Sequence, residues 1–140
     1  IDSSELAKKI ILNAADRLDL QMDNDGLFPA EMVRTISLHY TCFVMDAFFL
    51  IAHMSEKMGF DLWNLTTPSG KSLKKSFVVL KPYLVKDKEW KGEQIKEFDY
   101  EEGYDILMNA ATHFKCKDCV QAVKKMADDK APRLRINLLY

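Results

Sequence analysis

The sequence predicts an all-α protein of paired helices in two layers, and three observations carry that prediction. Apolar residues recur at three- and four-residue spacing through most of the chain. Residues that open and close helices fall between those stretches. No stretch shows a convincing strand pattern, and amphipathic segments alternate with a wholly apolar one, which is the pattern of paired layers.

The elements follow in order. Asp2, Ser3 and Ser4 offer N-caps, and Leu6, Ile10, Ala14 and Leu18 recur every fourth residue, so an amphipathic helix is expected to end near Met22. Asp23-Asn24-Asp25-Gly26 is a turn by composition, and Pro29 either opens a short turn or takes the first position of a helix. A strong helix is expected from about Ser37 to Met58, closed by Gly59. Its middle, Cys42 to Ala52, is apolar on nearly every face and therefore has to be covered on nearly every face. Five expected helices in 140 residues can hardly wrap it, which points to further covering structure: the rest of a longer chain or another subunit.

Leu73, Phe77, Leu80 and Leu84 mark a third helix, bent or ended near Pro82. Lys86 to Glu97 reads as a charged connection. Asp99 with Glu102 three residues on resembles a capping box ahead of the stripe Tyr100, Tyr104, Leu107, Ala111 and Phe114. Val120, Val123 and Ala127 mark a last helix, stopped by Pro132, and the apolar tail Leu134–Tyr140 is expected to dock.

Bulk properties narrow the function. With 48% hydrophobic and 29% charged residues the composition is globular, suited to one domain over residues 1–140 or to a piece of a larger one. A net charge of -1 argues against a nucleic-acid partner, and any anionic ligand has to be met by a few placed cations. The apolar run Cys42–Ala52 is interrupted by Asp46 and followed by His53, which is too short for a membrane span. Three cysteines exclude a full disulfide framework, and Cys116-x-x-Cys119 has no second ligand pair, so a local disulfide or two packed thiols are expected and neither a metal nor a cofactor. The chain opens at Ile1 without a Met or a signal-like stretch, which reads as a processed or excised start.

The richest segment chemically is Gln21 to Tyr40, which gathers Gln21, Asp23, Asp25, Glu31, Arg34, Ser37, His39 and Tyr40 at the mouth of the apolar helix. Spacing alone is equally served by capping: Ser37 as N-cap, the aspartates as turn formers, Arg34 paired with Glu31.

The run from Gln21 to Tyr40 resembles the alginate lyase-like polysaccharide lyases: a Gln, an acidic-Gly turn, a Pro with an acidic residue, then Arg34-Thr35, Ser37 and Tyr40. Gly59-Phe60-Asp61-Leu62-Trp63, Gly70-Lys71-Ser72-Leu73 and Pro82-Tyr83 are similar to that family's following segments, so the likeness spans roughly Leu6 to Tyr83. The resemblance implies the C-terminal portion of a catalytic domain and an incomplete α/α toroid of antiparallel helix pairs in two layers, completed by the remainder of the parent catalytic domain or by another subunit. It implies β-elimination on an anionic polysaccharide, an alginate- or glucuronan-like polyuronate, and a periplasmic or secreted bacterial enzyme. In that chemistry a base takes the C5 proton beside the carboxylate and the bond from C4 to the bridging oxygen breaks, so preorganised cations must offset the developing charge.

By the resemblance, Tyr40 is the catalytic acid/base, and Arg34 stabilises the substrate carboxylate or the phenolate. A free phenol titrates near pH 10, so a tyrosine acting as base near neutrality needs its phenolate stabilised by about 3–4 kcal/mol; a permanent planar cation supplies part of that. His39, Gln21 and Glu31 are expected to bind substrate. Successive helical residues point about 100° apart, so of His39 and Tyr40 only one faces a groove squarely. His53 and His113 read as packing or surface residues, and Trp63 and Trp90 as packing anchors or sugar platforms. The family's Asn-His pair from an upstream helix has no counterpart, since the chain contains no Asn-His dipeptide. A non-catalytic helical module that binds glycans or other proteins is the rival reading; a hydrolase on a similar toroid would use Asp23, Asp25 or Glu31 as its carboxyl acid/base.

Overall fold

A computed structural model of the chain describes residues 3–127. It contains α1 (Ser3–Gln21), α2 (Pro29–Met32), α3 (Ser37–Glu56), α4 (Leu73–Leu84), a 3₁₀ turn (Tyr100–Gly103), α5 (Tyr104–His113) and α6 (Cys119–Ala127). The all-α expectation holds: among the described residues the β features amount to one isolated bridge, Ile36 with Gln94. Pro132 and the tail Leu134–Tyr140 lie outside the described residues.

Most helix ends fall where their chemistry puts them. Asp23 Oδ1 accepts the N–H groups of Asp25 and Leu27, both at 2.9 Å, and so builds the turn after α1. Gly26 completes that turn at φ +90°, and an added Cβ would sit 3.3 Å from the Lys75 backbone oxygen. Pro29 takes the first position of α2. Ser72 caps α4 by accepting from Lys75 N–H at 3.1 Å. Pro82 does not end α4, which continues to Leu84; the Pro82 carbonyl accepts from Asp87 and Lys88 N–H just beyond.

Three expectations are corrected. In α1 the packed face is Ile11, Ala14 and Leu18, while Leu6 and Ile10 are half exposed. Residues four apart drift by about 40° per step, so a strict four-residue stripe rolls off the face that a three–four alternation holds. Ser37 is not the N-cap of α3: it is the first helical residue, and Ile36 precedes it without a side-chain cap. The Asp99–Glu102 capping box does not form: Asp99 caps the 3₁₀ turn through Glu101 N–H, while Glu102 reaches away to His39.

Leu18, Met45, Leu73, Leu80, Ile106 and Leu107 lie at the centre of a core that draws on every long helix. Burying a Leu or Ile side chain fully stabilises by roughly 1.5–3 kcal/mol. α3 and α5 lie side by side and run the same way, because His39 meets Glu102 at one end and His53 meets Asn109 at the other. α4 runs against α5: Leu84 closes on Gly103, and Phe77 packs on Phe114. α1 and α4 pack on α3, and α4 and α6 pack on α5, so the chain alternates between two layers.

By length and composition alone α3 is long and apolar enough to cross a membrane, a test that buried core helices also pass. Its Leu38, Cys42, Met45, Phe49 and Ala52 face is buried in the helical core. Phe43, Ala47, Leu50 and Met54 form an exposed stripe at positions i, i+4, i+7 and i+11, with Phe43 66% and Leu50 62% accessible.

Candidate active site

The turn between α1 and α2 and the first turn of α3 bring part of the expected site together. Arg34 is exposed, and its guanidinium carbon lies 3.8 Å over the centre of the half-buried Tyr40 ring. His39 packs edge-on against the same ring, with centroids 5.2 Å apart. The His39 ring is turned by Glu102, whose Oε2 lies 2.5 Å from His39 Nδ1. The Glu31 carbonyl accepts Arg34 N–H at 3.1 Å, but among the described residues no side-chain hydrogen bond or ion pair joins Gln21 or Glu31 to Arg34, His39 or Tyr40. Arg34 accordingly stacks on Tyr40 and does not pair with Glu31.

What sets Tyr40 in place is a segment from far along the chain. The Ser37 hydroxyl donates to the Glu93 carbonyl at 2.7 Å and accepts from Trp90 Nε1 at 2.7 Å. Ser37 N–H donates to the same Glu93 carbonyl at 2.9 Å, and Ile95 N–H donates to Thr35 O at 2.8 Å. Gln94 Oε1 accepts Leu38 N–H at 3.1 Å. Residues 90–95 thereby satisfy donors that a helix start leaves open, and they fix the register of the turn that carries His39 and Tyr40. Sequence reasoning gave Trp90 and Glu102 other roles and did not single out Gly92, Glu93 or Gln94, since contacts across more than fifty residues leave no local periodicity.

A titrating carboxyl lies two turns along α3. Asp46 is pushed up to about 7, first by burial and then by the Asp105 and Glu102 carboxylates. The same burial raises the Cys42 thiol well above its ordinary value, with Asp46 and Glu102 adding to it. His39, Cys42 and Asp46, at i, i+3 and i+7, share the helix face turned towards the 3₁₀ turn and α5.

Cys116 and Cys119 form a disulfide, which removes both sulfurs as metal ligands. A second polar cluster, His53, Glu56 and His113, stands at the other end of α3, with its donor atoms within 4.8 Å of one another. Trp63 is 1% exposed and stacked between aromatic side chains, so it is a packing anchor and offers no sugar platform.

The model of the alginate lyase family matches residues 1–90. The chain is also similar to a solved structure of an alginate lyase from Bacteroides ovatus, with a TM-score of 0.76 at 31% sequence identity, over 84% of this chain and 32% of that one. The present chain thus spans about a third of that relative's length. No curated protein matches it.

Proposed function

The chain belongs to the alginate lyase family, whose helical toroid it shares in part, and from that premise we propose that it contributes the Tyr–Arg portion of a polyuronate β-elimination site. The substrate class is an anionic, uronic-acid polysaccharide of the alginate or glucuronan kind. Tyr40 is the acid/base group, delivering a proton to the bridging oxygen and serving as phenolate for the C5 proton. Arg34 is the cation that offsets charge on the substrate carboxylate or on the phenolate. His39, held by Glu102, lines the site beside the ring, and Gln21 and Glu31 are the other substrate contacts.

The observation that supports this reading most directly is the guanidinium of Arg34 lying against the Tyr40 ring on an accessible surface. Permanent charge and phenol converge there without burial of the cation, as a site for an anionic polymer requires. The exposed α3 stripe of Phe43, Leu50 and Met54 supports a second part of the proposal, namely that further helices of the parent domain pack on this face. Export to the periplasm or beyond belongs to the same proposal.

The test is elimination itself. The parent enzyme supplied with alginate or glucuronan should release products with a new carbon–carbon double bond, followed by ultraviolet absorbance. Tyr40→Phe should abolish that signal while polymer binding persists. Undiminished turnover in Tyr40→Phe overturns the assignment. Binding of polymer with no unsaturated product under any condition would instead identify a glycan-binding module.

A further inference from the structure

We propose that His53, Glu56 and His113 form a divalent-metal site, best suited to zinc, which staples the C-terminal ends of α3 and α5 together. The site lies thirteen residues along α3 from Tyr40, about 20 Å at the helical rise, and is separate from the proposed lyase chemistry.

The hydrogen bonds around His53 decide which of its nitrogens is free. Asn109 Nδ2 donates to the Asp105 backbone carbonyl at 2.9 Å, and a carbonyl only accepts, so the amide oxygen of Asn109 is the atom turned to His53. That oxygen lies 2.6 Å from His53 Nε2, which therefore carries the hydrogen and donates it. The Nδ1 lone pair of neutral His53 is left facing Glu56. This is the arrangement in which a metal-binding imidazole is held by its other nitrogen.

The spacings fit a shared ion better than direct pairing. His53 Nδ1 lies 3.8 Å from Glu56 Oε2, and His113 Nδ1 lies 3.5 Å from Glu56 Oε1. A charge-assisted hydrogen bond would close to about 2.7–2.9 Å. Ligand atoms around a tetrahedral zinc with bonds of about 2.0–2.1 Å are roughly 3.3–3.4 Å apart. Small side-chain movements reach that geometry from the distances present. Two imidazoles and one carboxylate are a borderline-soft set, which favours zinc over calcium or magnesium.

The surroundings hold the ligands still. The His113 ring stacks flat on Trp63, with centroids 3.9 Å apart and planes 4° from parallel. The His53 ring meets Trp63 edge-on at 5.0 Å. Trp63, His113 and Glu56 also line a cleft with Asp61 and Asn64, which leaves a fourth coordination position open to water.

The experiment uses tag-free purified protein with its disulfide intact, stripped by a chelator and titrated calorimetrically with zinc alone. The expected result is one zinc per chain with a dissociation constant of micromolar or below, and a thermal midpoint that rises with zinc concentration. Glu56→Gln, at a half-exposed position and with its fold checked by circular dichroism, should weaken binding at least tenfold. His113→Gln should do the same, and Asn109→Ala should weaken it about 10–100-fold by freeing the His53 ring. Absence of saturable binding below millimolar zinc overturns the proposal, as does equal zinc affinity in folded Glu56→Gln.

Discussion

The Arg34 guanidinium lies 3.8 Å above the Tyr40 ring, and its charge is spent neither on Glu31 nor on the core. Stacking of this kind at an exposed position is worth about 0.5–1 kcal/mol. Arg34→Ala should therefore barely move a denaturation midpoint. Loss of a preorganised cation from a developing anion costs far more, on the order of 100–1000-fold in turnover. Arg34→Lys should recover only part of it, because a point charge on a flexible stem neither stacks as a plane nor forks onto a carboxylate. The comparison is turnover on polyuronate against urea midpoint in the three proteins. Equal turnover in all three removes Arg34 from the chemistry.

Asp46 makes stability depend on pH. Its carboxyl is raised from 3.8 to about 7 in the folded chain, chiefly by burial, so the folded state binds this proton more tightly than the unfolded state. The contribution is full below pH 3.8 and is lost as pH rises through about 7. Asp46→Asn has no proton to lose. It should be more stable than the parent at pH 8, by on the order of 2–4 kcal/mol, with the gap closing towards pH 4. Urea titrations of both proteins across that range test this, and parallel curves at every pH would rule it out.

Glu102 couples the two ends of this arrangement. Its carboxylate holds His39 and also raises Asp46. Both partners of the His39 pair are more than a third exposed, so Glu102→Gln should cost no more than about 1 kcal/mol through that contact. The same substitution removes a negative charge that faces Asp46, and the pH at which Asp46 loses its proton should fall. The readout is the difference in stability between Glu102→Gln alone and Glu102→Gln with Asp46→Asn, followed against pH. A midpoint unchanged from that of the parent pair would show that Glu102 does not act on Asp46.

How much was legible beforehand follows from the range of each interaction. Pro29, Gly26 and Gly59 act within a few residues of themselves, and the turns and helix ends they imply are present, whereas the Ser72 cap went unread. The apolar stretch of α3 announced both its burial and its shortage of cover, and Phe43 and Leu50 are where that shortage appears. Tyr40, Arg34 and His39 came from a resemblance, and the structure puts them side by side; Gln21 and Glu31 came the same way, and neither side chain bonds to those three, Glu31 meeting Arg34 through its backbone carbonyl. Ser37 and Glu102 were misassigned for one reason. Each has a residue type that suits a local cap, and each is claimed by a partner 56 or 63 residues away. The His53–His113 cluster was missed because its ligands are split between the ends of two helices, with only the His-x-x-Glu half visible in one stretch.

Gly92 is the position where that long-range clamp is most exposed to test. A Cβ built there would overlap the Ser37 hydroxyl and lie 2.6 Å from Trp90 Nε1. Either atom can yield only by breaking the chain from the Trp90 N–H through the Ser37 hydroxyl to the Glu93 carbonyl. Breaking it leaves buried polar groups of Ser37 unpaired, at a cost of about 1–3 kcal/mol. It also loosens the first turn of α3, on which His39 and Tyr40 stand. Gly92→Ala should therefore lower turnover at least tenfold at temperatures where the protein is still fully folded, because small errors in placing a reacting group are costly. Gly70→Ala is the contrasting control: it carries backbone strain, at φ +78°, in place of a steric clash, since its added methyl meets nothing within 4 Å. That variant should lose about 1 kcal/mol of stability and keep its turnover. If Gly92→Ala keeps both its thermal midpoint and its turnover, the segment Trp90–Ile95 does not position the site.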